Sequence, residues 1–186
     1  IMELRRKIGV VSPRLQAFCS TTWTVHEIVV SALFSAIGLD FHHGVSPEQD
    51  DLADALLERF GILDRRNATM NALSSGEARR ALLARVCILD PELIILDEAS
   101  SGLDFPARAA YRDLLRTLSD EGRTIVLITH ELSEIIEEIG RVIVMKEGRI
   151  TRDGPKDAVL TETVLSDAYG MTVYVDQRGG LYTAWC

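Results

Sequence analysis

Two carboxylates, Asp97 and Glu98, directly follow an apolar run over residues 93–96. A continuous apolar run of this length is typical of a strand buried in a parallel sheet, and ligands bind beyond the carboxyl ends of such strands. There, one carboxylate could hold Mg²⁺, directly or through water, and the other could polarise a water for phosphoryl transfer. Taken alone, the pair is more simply explained as two solvated acids at a strand end.

A second apolar run, residues 124–129, ends in His130. A lone histidine is more often a helix cap or a structural partner than a catalytic group. We expect it at the same edge of the sheet as Glu98, where it could donate a hydrogen bond to a terminal phosphate. Between the two runs, residues 101–104 form a predicted tight turn that ends in Asp104, and its simpler interpretation is an Asx-type turn before a helix.

The stretch Ser74-Ser75-Gly76-Glu77 predicts the start of a helix, because a serine followed three residues later by glutamate is a capping box. A helix start also presents free backbone N–H groups and the positive end of the helix dipole to an anion. Gly76 would let a phosphate approach the backbone closely. Each of these elements is weak evidence by itself, whereas their order along the chain is specific.

The ordered series LSSGEARR, LIILDEASSGLD and TIVLITH resembles the second half of an ATP-binding cassette (ABC) transporter ATPase. The resemblance implies that the signature motif, which contacts nucleotide, is formed by Ser74, Ser75, Gly76 and Glu77. It implies that Asp97 is the Mg²⁺ ligand of the Walker B strand and that Glu98 is the catalytic carboxylate. By the same resemblance, Asp104 is the D-loop residue and His130 is the switch histidine. It also implies ATP and Mg²⁺ as cofactors. Three mild departures from the family pattern are Ser75 in place of the usual glycine, Glu77 in place of the common glutamine and Ala99 in place of the usual proline. At the Q-loop, Ser12-Pro13 stands where the glutamine is expected, and Gln16 is the candidate for its role.

No P-loop is present in the 186 residues. This loop needs Gly-x-x-x-x-Gly-Lys-Ser/Thr, and none of the three lysines, Lys7, Lys146 and Lys156, follows a glycine or precedes Ser or Thr. In the family the P-loop lies in an N-terminal portion that would precede Ile1. We therefore expect a C-terminal part of a cassette that, alone, has little ATPase activity and binds ATP poorly.

The expected fold class is α/β, a P-loop NTPase-like (RecA-like), mostly parallel sheet with an inserted α-helical subdomain and without the P-loop portion. Helices are predicted over residues 24–37, 47–60, 74–86, 106–119, 132–139, 157–160 and 162–169, and strands over residues 8–11, 93–96, 124–129, 141–145, 149–151, 171–176 and 181–185. The predicted regions are a strand with the Q-loop (1–16), the helical subdomain (17–72), the signature, Walker B, D-loop and switch-histidine region (73–154), and C-terminal helices with a hairpin (155–186).

Composition narrows the class of protein. A net charge of −8 argues against broad binding to a nucleic acid backbone. Three distant cysteines suggest neither a disulfide framework nor a metal site, so a reducing cytoplasm is the default. The longest apolar stretch, around residues 28–37, is too short to span a membrane.

The resemblance implies a parent protein that couples ATP hydrolysis to transport. Its expected partners are a second ATPase subunit in a head-to-tail dimer and a transmembrane permease, which would hold it at the cytoplasmic face of the membrane. The sequence GVVSPRLQ resembles a subgroup for uptake of metal complexes or molybdate. Two alternatives stay open: a non-catalytic module that pairs with a complete cassette, and an ABC-type protein of nucleic-acid maintenance, which the acidic charge disfavours.

Overall fold

Parallel pairing brings together the three strands that carry the predicted chemistry. The computed structural model describes residues 7–19, 22–40, 42 and 44–186. In it, β1 (Ile8–Val11), β2 (Leu93–Asp97) and β3 (Thr124–Ile128) form a parallel sheet in the order β1-β2-β3. β2 is central, so its carboxyl end lies between those of its two neighbours.

The described residues up to Ile128 also contain five helices, all of which lie between strands of this sheet along the chain. They are α1 (Pro13–Cys19), α2 (Val25–Val30), α3 (Pro47–Arg59), α4 (Ser75–Cys87) and α5 (Phe105–Asp120), with 3₁₀ turns at Ser31–Phe34, Leu63–Arg65 and Met70–Ala72. The described residues of this part form one compact unit, and residues 129–186 form a second.

Capping explains where several of these helices begin. Thr24, Ser46 and Ser74 each form a capping box, with Glu27, Gln49 and Glu77 respectively. Each box satisfies two backbone N–H groups that the first turn leaves without an intrahelical partner. Local sequence therefore sets these helix starts, as predicted.

The two faces of the parallel sheet differ in burial. Val11, Ile94 and Leu96 are fully buried on one face. On the other face Val10, Ile95 and Val126 lie in one row across the three strands, because they are register partners. Val10 and Val126 are 43% and 42% exposed, so this row is partly open to solvent.

The second unit contains two antiparallel hairpins and short helices. These elements are a 3₁₀ turn at Leu132–Glu134, β4 (Arg141–Lys146), β5 (Arg149–Pro155), α6 (Lys156–Val159), α7 (Glu162–Tyr169), β6 (Tyr174–Arg178) and β7 (Leu181–Trp185). β4 pairs with β5 and β6 with β7. Gly179 and Gly180 form the turn between β6 and β7, and both have positive φ, as a type I′ hairpin turn requires.

One predicted helix is absent, and one observed helix was not predicted. Residues 132–139 do not form a helix, since only Leu132–Glu134 is a 3₁₀ turn. Glu134, Glu137 and Glu138 would lie on one helical face, where like charges three and four residues apart repel. No helix was predicted over residues 13–19, which form α1. Its first turn is capped by Ser12 Oγ, which accepts from the Leu15 amide at 3.2 Å.

The α/β fold with a parallel sheet is confirmed. The described residues between 17 and 72 hold helices and no strand element beyond a single bridge between Thr24 and Thr69. The proposed boundaries of the four regions stay predictions, and residues 1–6, 20, 21, 41 and 43 of those regions lie outside the described residues. Within the described part, no helix is long and apolar enough to cross a bilayer.

Candidate functional site

The N-terminus of α4 is fixed by its own side chains. The Ser74 amide and hydroxyl both donate to Glu77 Oε2, at 2.8 and 2.7 Å, while the Glu77 amide donates to Ser74 Oγ at 3.3 Å. Within the described residues, the amides of Ser75 and Gly76 have no such partner. They are the N–H groups that this helix end offers to an anion.

Glu77 is held in its ionised form by its neighbours. The hydroxyl and the amide of Ser74, followed by Arg65, lower the pKa of the Glu77 carboxyl to about 2. Arg65 Nε donates to Glu77 Oε1 at 2.7 Å. The side chain that replaces the family's usual glutamine therefore carries a negative charge, which Arg65 balances.

A groove runs between α4 and the start of α5. It encloses about 300 Å³ and is lined by Ser74, Ser75, Gly76, Glu77, Arg80, Gly102, Leu103, Asp104, Ala107, Ala110 and Tyr111. A Cβ atom at Gly76 would lie 3.1 Å from Ala107 Cβ, so glycine favours this close approach of the two helices. The structure thus gives Gly76 a packing role that sequence reasoning did not foresee.

Asp104 caps α5. Its Oδ1 accepts from the Ala107 amide at 2.8 Å, and Pro106 follows within the first turn of the helix. The simpler interpretation of Asp104 as a turn and cap residue is therefore what the geometry shows directly. Its position on the groove also places it beside the free amides of α4.

Asp97 and Glu98 lie at the carboxyl end of β2, as the sequence predicts. Glu98 has φ +48°, a left-handed conformation that non-glycine residues seldom adopt. Its amide donates to the Ile128 carbonyl at the end of β3 at 2.9 Å. The strained backbone is thus held by the neighbouring strand, and strain of this kind concentrates at functional sites.

The donor set at this strand end fits Mg²⁺ only together with phosphate. Mg²⁺ usually binds through one or two carboxylates plus phosphate oxygens and water, and Asp97 supplies one carboxylate. Among the described residues there is no cluster of three or more His, Cys, Asp or Glu side chains able to hold a metal by itself. A nucleotide would have to bring the remaining ligands.

Gln16 contacts α4 through a buried arginine of that helix. Arg79 Nη1 donates to Gln16 Oε1, and Arg79 Nη2 donates to the Ser101 carbonyl at 3.5 Å. Arg79 was not among the predicted site residues. Its partner on α1 is 63 positions away along the chain, so only the pair Arg79-Arg80 beside the signature gave any sign of it.

His130 belongs to the second unit, and its side chain is 67% exposed. Its Nε2 lies 4.0 Å from Glu131 Oε1. The predicted contact between His130 and a terminal phosphate stays a prediction.

The fold agrees with the comparisons to known proteins. A sequence profile of the ABC transporter family matches residues 1–101. The chain is 34% identical over 175 residues to the uncharacterized ABC transporter ATP-binding protein YlmA of Bacillus subtilis, covering 93% of this chain and 66% of that protein. It is also 34% identical over 155 residues to the methionine import ATP-binding protein MetN of Bifidobacterium longum, covering 83% of this chain and 37% of that protein. The chain belongs to the ABC transporter family.

Solved structures support the same fold. CbiO1 of Clostridium perfringens, part of the ABC transporter complex CbiONQ, superposes with a TM-score of 0.69 at 28% identity, over 89% of this chain and 64% of that one. A putative metal-chelate type ABC transporter in an inward-facing conformation gives a TM-score of 0.77 at 19% identity, over 96% of this chain and 70% of that one. The chain spans just under two thirds of the B. subtilis relative's length and a smaller share of several others.

Proposed function

We propose that this chain is the hydrolytic and signature-bearing part of an ABC ATP-binding protein, whose parent couples ATP hydrolysis to transport. The observation that carries the proposal is Glu98, held in a left-handed conformation at the carboxyl end of the central strand by a hydrogen bond to β3. In that role Asp97 binds the Mg²⁺ of Mg-ATP, Glu98 polarises the attacking water and His130 contacts the terminal phosphate.

The groove at α4 serves a second nucleotide in this proposal. The amides of Ser75 and Gly76 would bind a phosphate carried by a neighbouring cassette, with the Ser74 hydroxyl, Glu77 and Asp104 beside it. Gln16 would complete the Mg²⁺ site of this chain. The partners are a second ATP-binding subunit arranged head to tail and a permease that holds both at the cytoplasmic face of a membrane.

The 186 residues alone are proposed to turn over ATP slowly, because their sequence holds no P-loop to bind the phosphates. For the transported substrate, the resemblance of residues 9–16 supports a metal complex or molybdate. Uptake of radioactive molybdate and of a chelated metal by cells that express the complete transporter tests this class. Uptake of neither, with the ATPase active, rejects it.

The ATPase proposal is tested by adding a P-loop. A chimaera that places the P-loop-bearing segment of a complete cassette before Ile1 should hydrolyse Mg-ATP, whereas the 186 residues alone should not. Glu98→Gln in the chimaera should lower kcat by about 10²-fold or more while nucleotide binding is kept. Glu92→Gln is the matched control, since this exposed acid pairs with Lys7 at the other end of β2 and should leave kcat unchanged.

Two results would contradict these statements. Full turnover by the Glu98→Gln chimaera would remove Glu98 from the chemistry. Ordinary cassette rates from the 186 residues alone, sensitive to Glu98→Gln, would show that the missing P-loop is not limiting.

A further inference from the structure

Arg79 carries a buried charge that makes two hydrogen bonds within the described residues. Its side chain belongs to α4, two residues after Glu77, and the residue is only 6% exposed. Within the part of the chain that the structure describes, its Nε is buried without a hydrogen-bond partner. Among the described residues no carboxylate pairs with its guanidinium, and burial lowers the pKa of this group from its ordinary value.

Arg85, six residues further along α4, makes more hydrogen bonds than Arg79. It donates to the Ile28 carbonyl at 2.8 Å, to Ser31 Oγ at 3.1 Å and to the Ala36 carbonyl at 2.8 Å. Arg85 therefore fastens α2 and the following turn to α4. Arg79 makes fewer and poorer bonds, and a buried charge with so few partners is costly compared with an apolar side chain of the same volume. Stability alone does not account for an arginine at position 79.

The positions of Gln16 and Ser101, the two hydrogen-bond partners of Arg79, explain why an arginine is present there. Gln16 lies on α1, directly after β1, and Ser101 lies in the loop that follows β2. Because β1 and β2 are parallel neighbours, both segments leave the same edge of the sheet. The guanidinium is a rigid fork whose N–H groups point in fixed directions, so it can contact both acceptors at once and transmit a displacement of one to the other.

We propose that Arg79 is a positioning residue that couples Gln16 to the loop from Glu98 to Asp104. When Gln16 moves, the guanidinium moves with it and shifts the Ser101 carbonyl, and with it the loop that carries Glu98 at one end and Asp104 at the other. The contacts themselves are independent of catalysis. Their consequence rests on the proposed function, in which Gln16 serves this chain's own nucleotide and Asp104 the neighbour's, so that Arg79 connects the two sites.

Hydrogen–deuterium exchange on the 186-residue chain, without nucleotide, tests the coupling. Gln16→Ala should raise the exchange of amides in residues 98–104 by roughly threefold or more, which is the size expected for coupling between residues in contact. In an Arg79→Met background the same Gln16→Ala change should have no further effect on this loop. Gln177→Ala, a glutamine in the second unit, is the matched control and should leave residues 98–104 unchanged.

The dependence of the Gln16 effect on Arg79 is the decisive readout, because a merely structural arginine would give additive changes. Exchange across β2 reports global stability. If Arg79→Met raises exchange throughout β2, Arg79→Lys takes the place of Arg79→Met in the double-variant comparison. A single ammonium keeps the charge but cannot contact both acceptors. An equal effect of Gln16→Ala with and without Arg79, or no effect on residues 98–104, overturns the proposal.

The outcome is separable from that of the ATPase proposal. An inactive chimaera would overturn the proposed function and leave the exchange result as it stands. Additive exchange with an active chimaera would overturn only the coupling.

Discussion

At the scale of single residues, Glu77 both caps a helix and carries a charge that pairs with an arginine. Its carboxylate completes the capping box of α4 and also accepts from Arg65. A glutamine at this position would keep the capping geometry, because glutamine also serves at the third position of a capping box. The charge is therefore the property that distinguishes Glu77 from the residue common in its family.

The pH dependence of stability follows from the low pKa of Glu77. Because its folded pKa of about 2 lies below its ordinary value of 4.5, its contribution is complete above pH 4.5 and is lost as the pH falls towards 2. We expect Glu77→Gln to cost up to about 1 kcal/mol at pH 7, and Glu77→Ala to cost about 1 kcal/mol more through loss of the cap. Urea unfolding at pH 7 and at pH 2 to 4 measures both differences.

Arg65→Met provides the control. It should reproduce part of the Glu77→Gln loss at pH 7, and the double variant should show less than the sum. A Glu77→Gln difference that stays constant down to pH 2 would show that its charge does not stabilise the fold.

The sequence predicts local features of the site and misses distant ones. Ser74 and Glu77 are found at the expected helix start, and Asp97 and Glu98 at the expected strand end, because caps and apolar runs are encoded by neighbours in sequence. The contact of Arg79 with Gln16 joins α4 to α1 across the fold. No spacing rule encodes such a contact, because it depends on how α4 packs against β1 and the helix that follows β1.

At the scale of elements, the packing of β1 against α4 depends on one glycine. A Cβ atom at Gly9 would overlap Val86 Cγ1 of α4. We expect Gly9→Ala to lower the free energy of unfolding by about 1–3 kcal/mol through overpacking. Gly44→Ala, where a Cβ would contact none of the described residues within 4 Å, should stay within about 0.5 kcal/mol of the parent.

A second-site variant identifies the cause. In a Val86→Ala background the space for the new methyl group is present, so the cost of Gly9→Ala measured by urea unfolding should be smaller. An undiminished cost would place the strain elsewhere in β1.

Element prediction failed where tertiary or like-charge effects outweigh the local pattern. The isoleucines of residues 132–139 have helical spacing, yet three glutamates on one face oppose a helix there. The opposite error occurred at Ser12-Pro13. Serine as cap with proline at the first helical position is a helix start, and α1 follows it, although no helix was predicted there.

At the scale of the whole molecule, the partly exposed row of Val10, Ile95 and Val126 on the parallel sheet predicts self-association. Parallel sheets are normally covered on both faces, whereas Val10 and Val126 are each exposed over about two fifths of their surface. Exposed apolar patches of this kind favour self-association. We expect the 186-residue chain to bind a hydrophobic dye and to show concentration-dependent mass by light scattering.

Paired substitution tests this expectation. Changing Val10 and Val126 together to threonine keeps the side-chain shape and should lower dye fluorescence by roughly twofold, with less association. Leu52→Gln removes an exposed apolar side chain from α3 instead and should change neither. A monodisperse monomer at every concentration would contradict the prediction.

The three cysteines differ in exposure, which leaves one thiol available for chemical labelling. Cys19 and Cys87 are buried, whereas Cys186 is exposed at the last position. Burial raises the pKa of the Cys87 thiol to about 11 and also raises that of Cys19, so neither forms the reactive thiolate readily. A maleimide dye added to the folded chain at neutral pH should attach once, at Cys186. The second unit can therefore carry a fluorophore or a surface tether at one known position without any change of sequence.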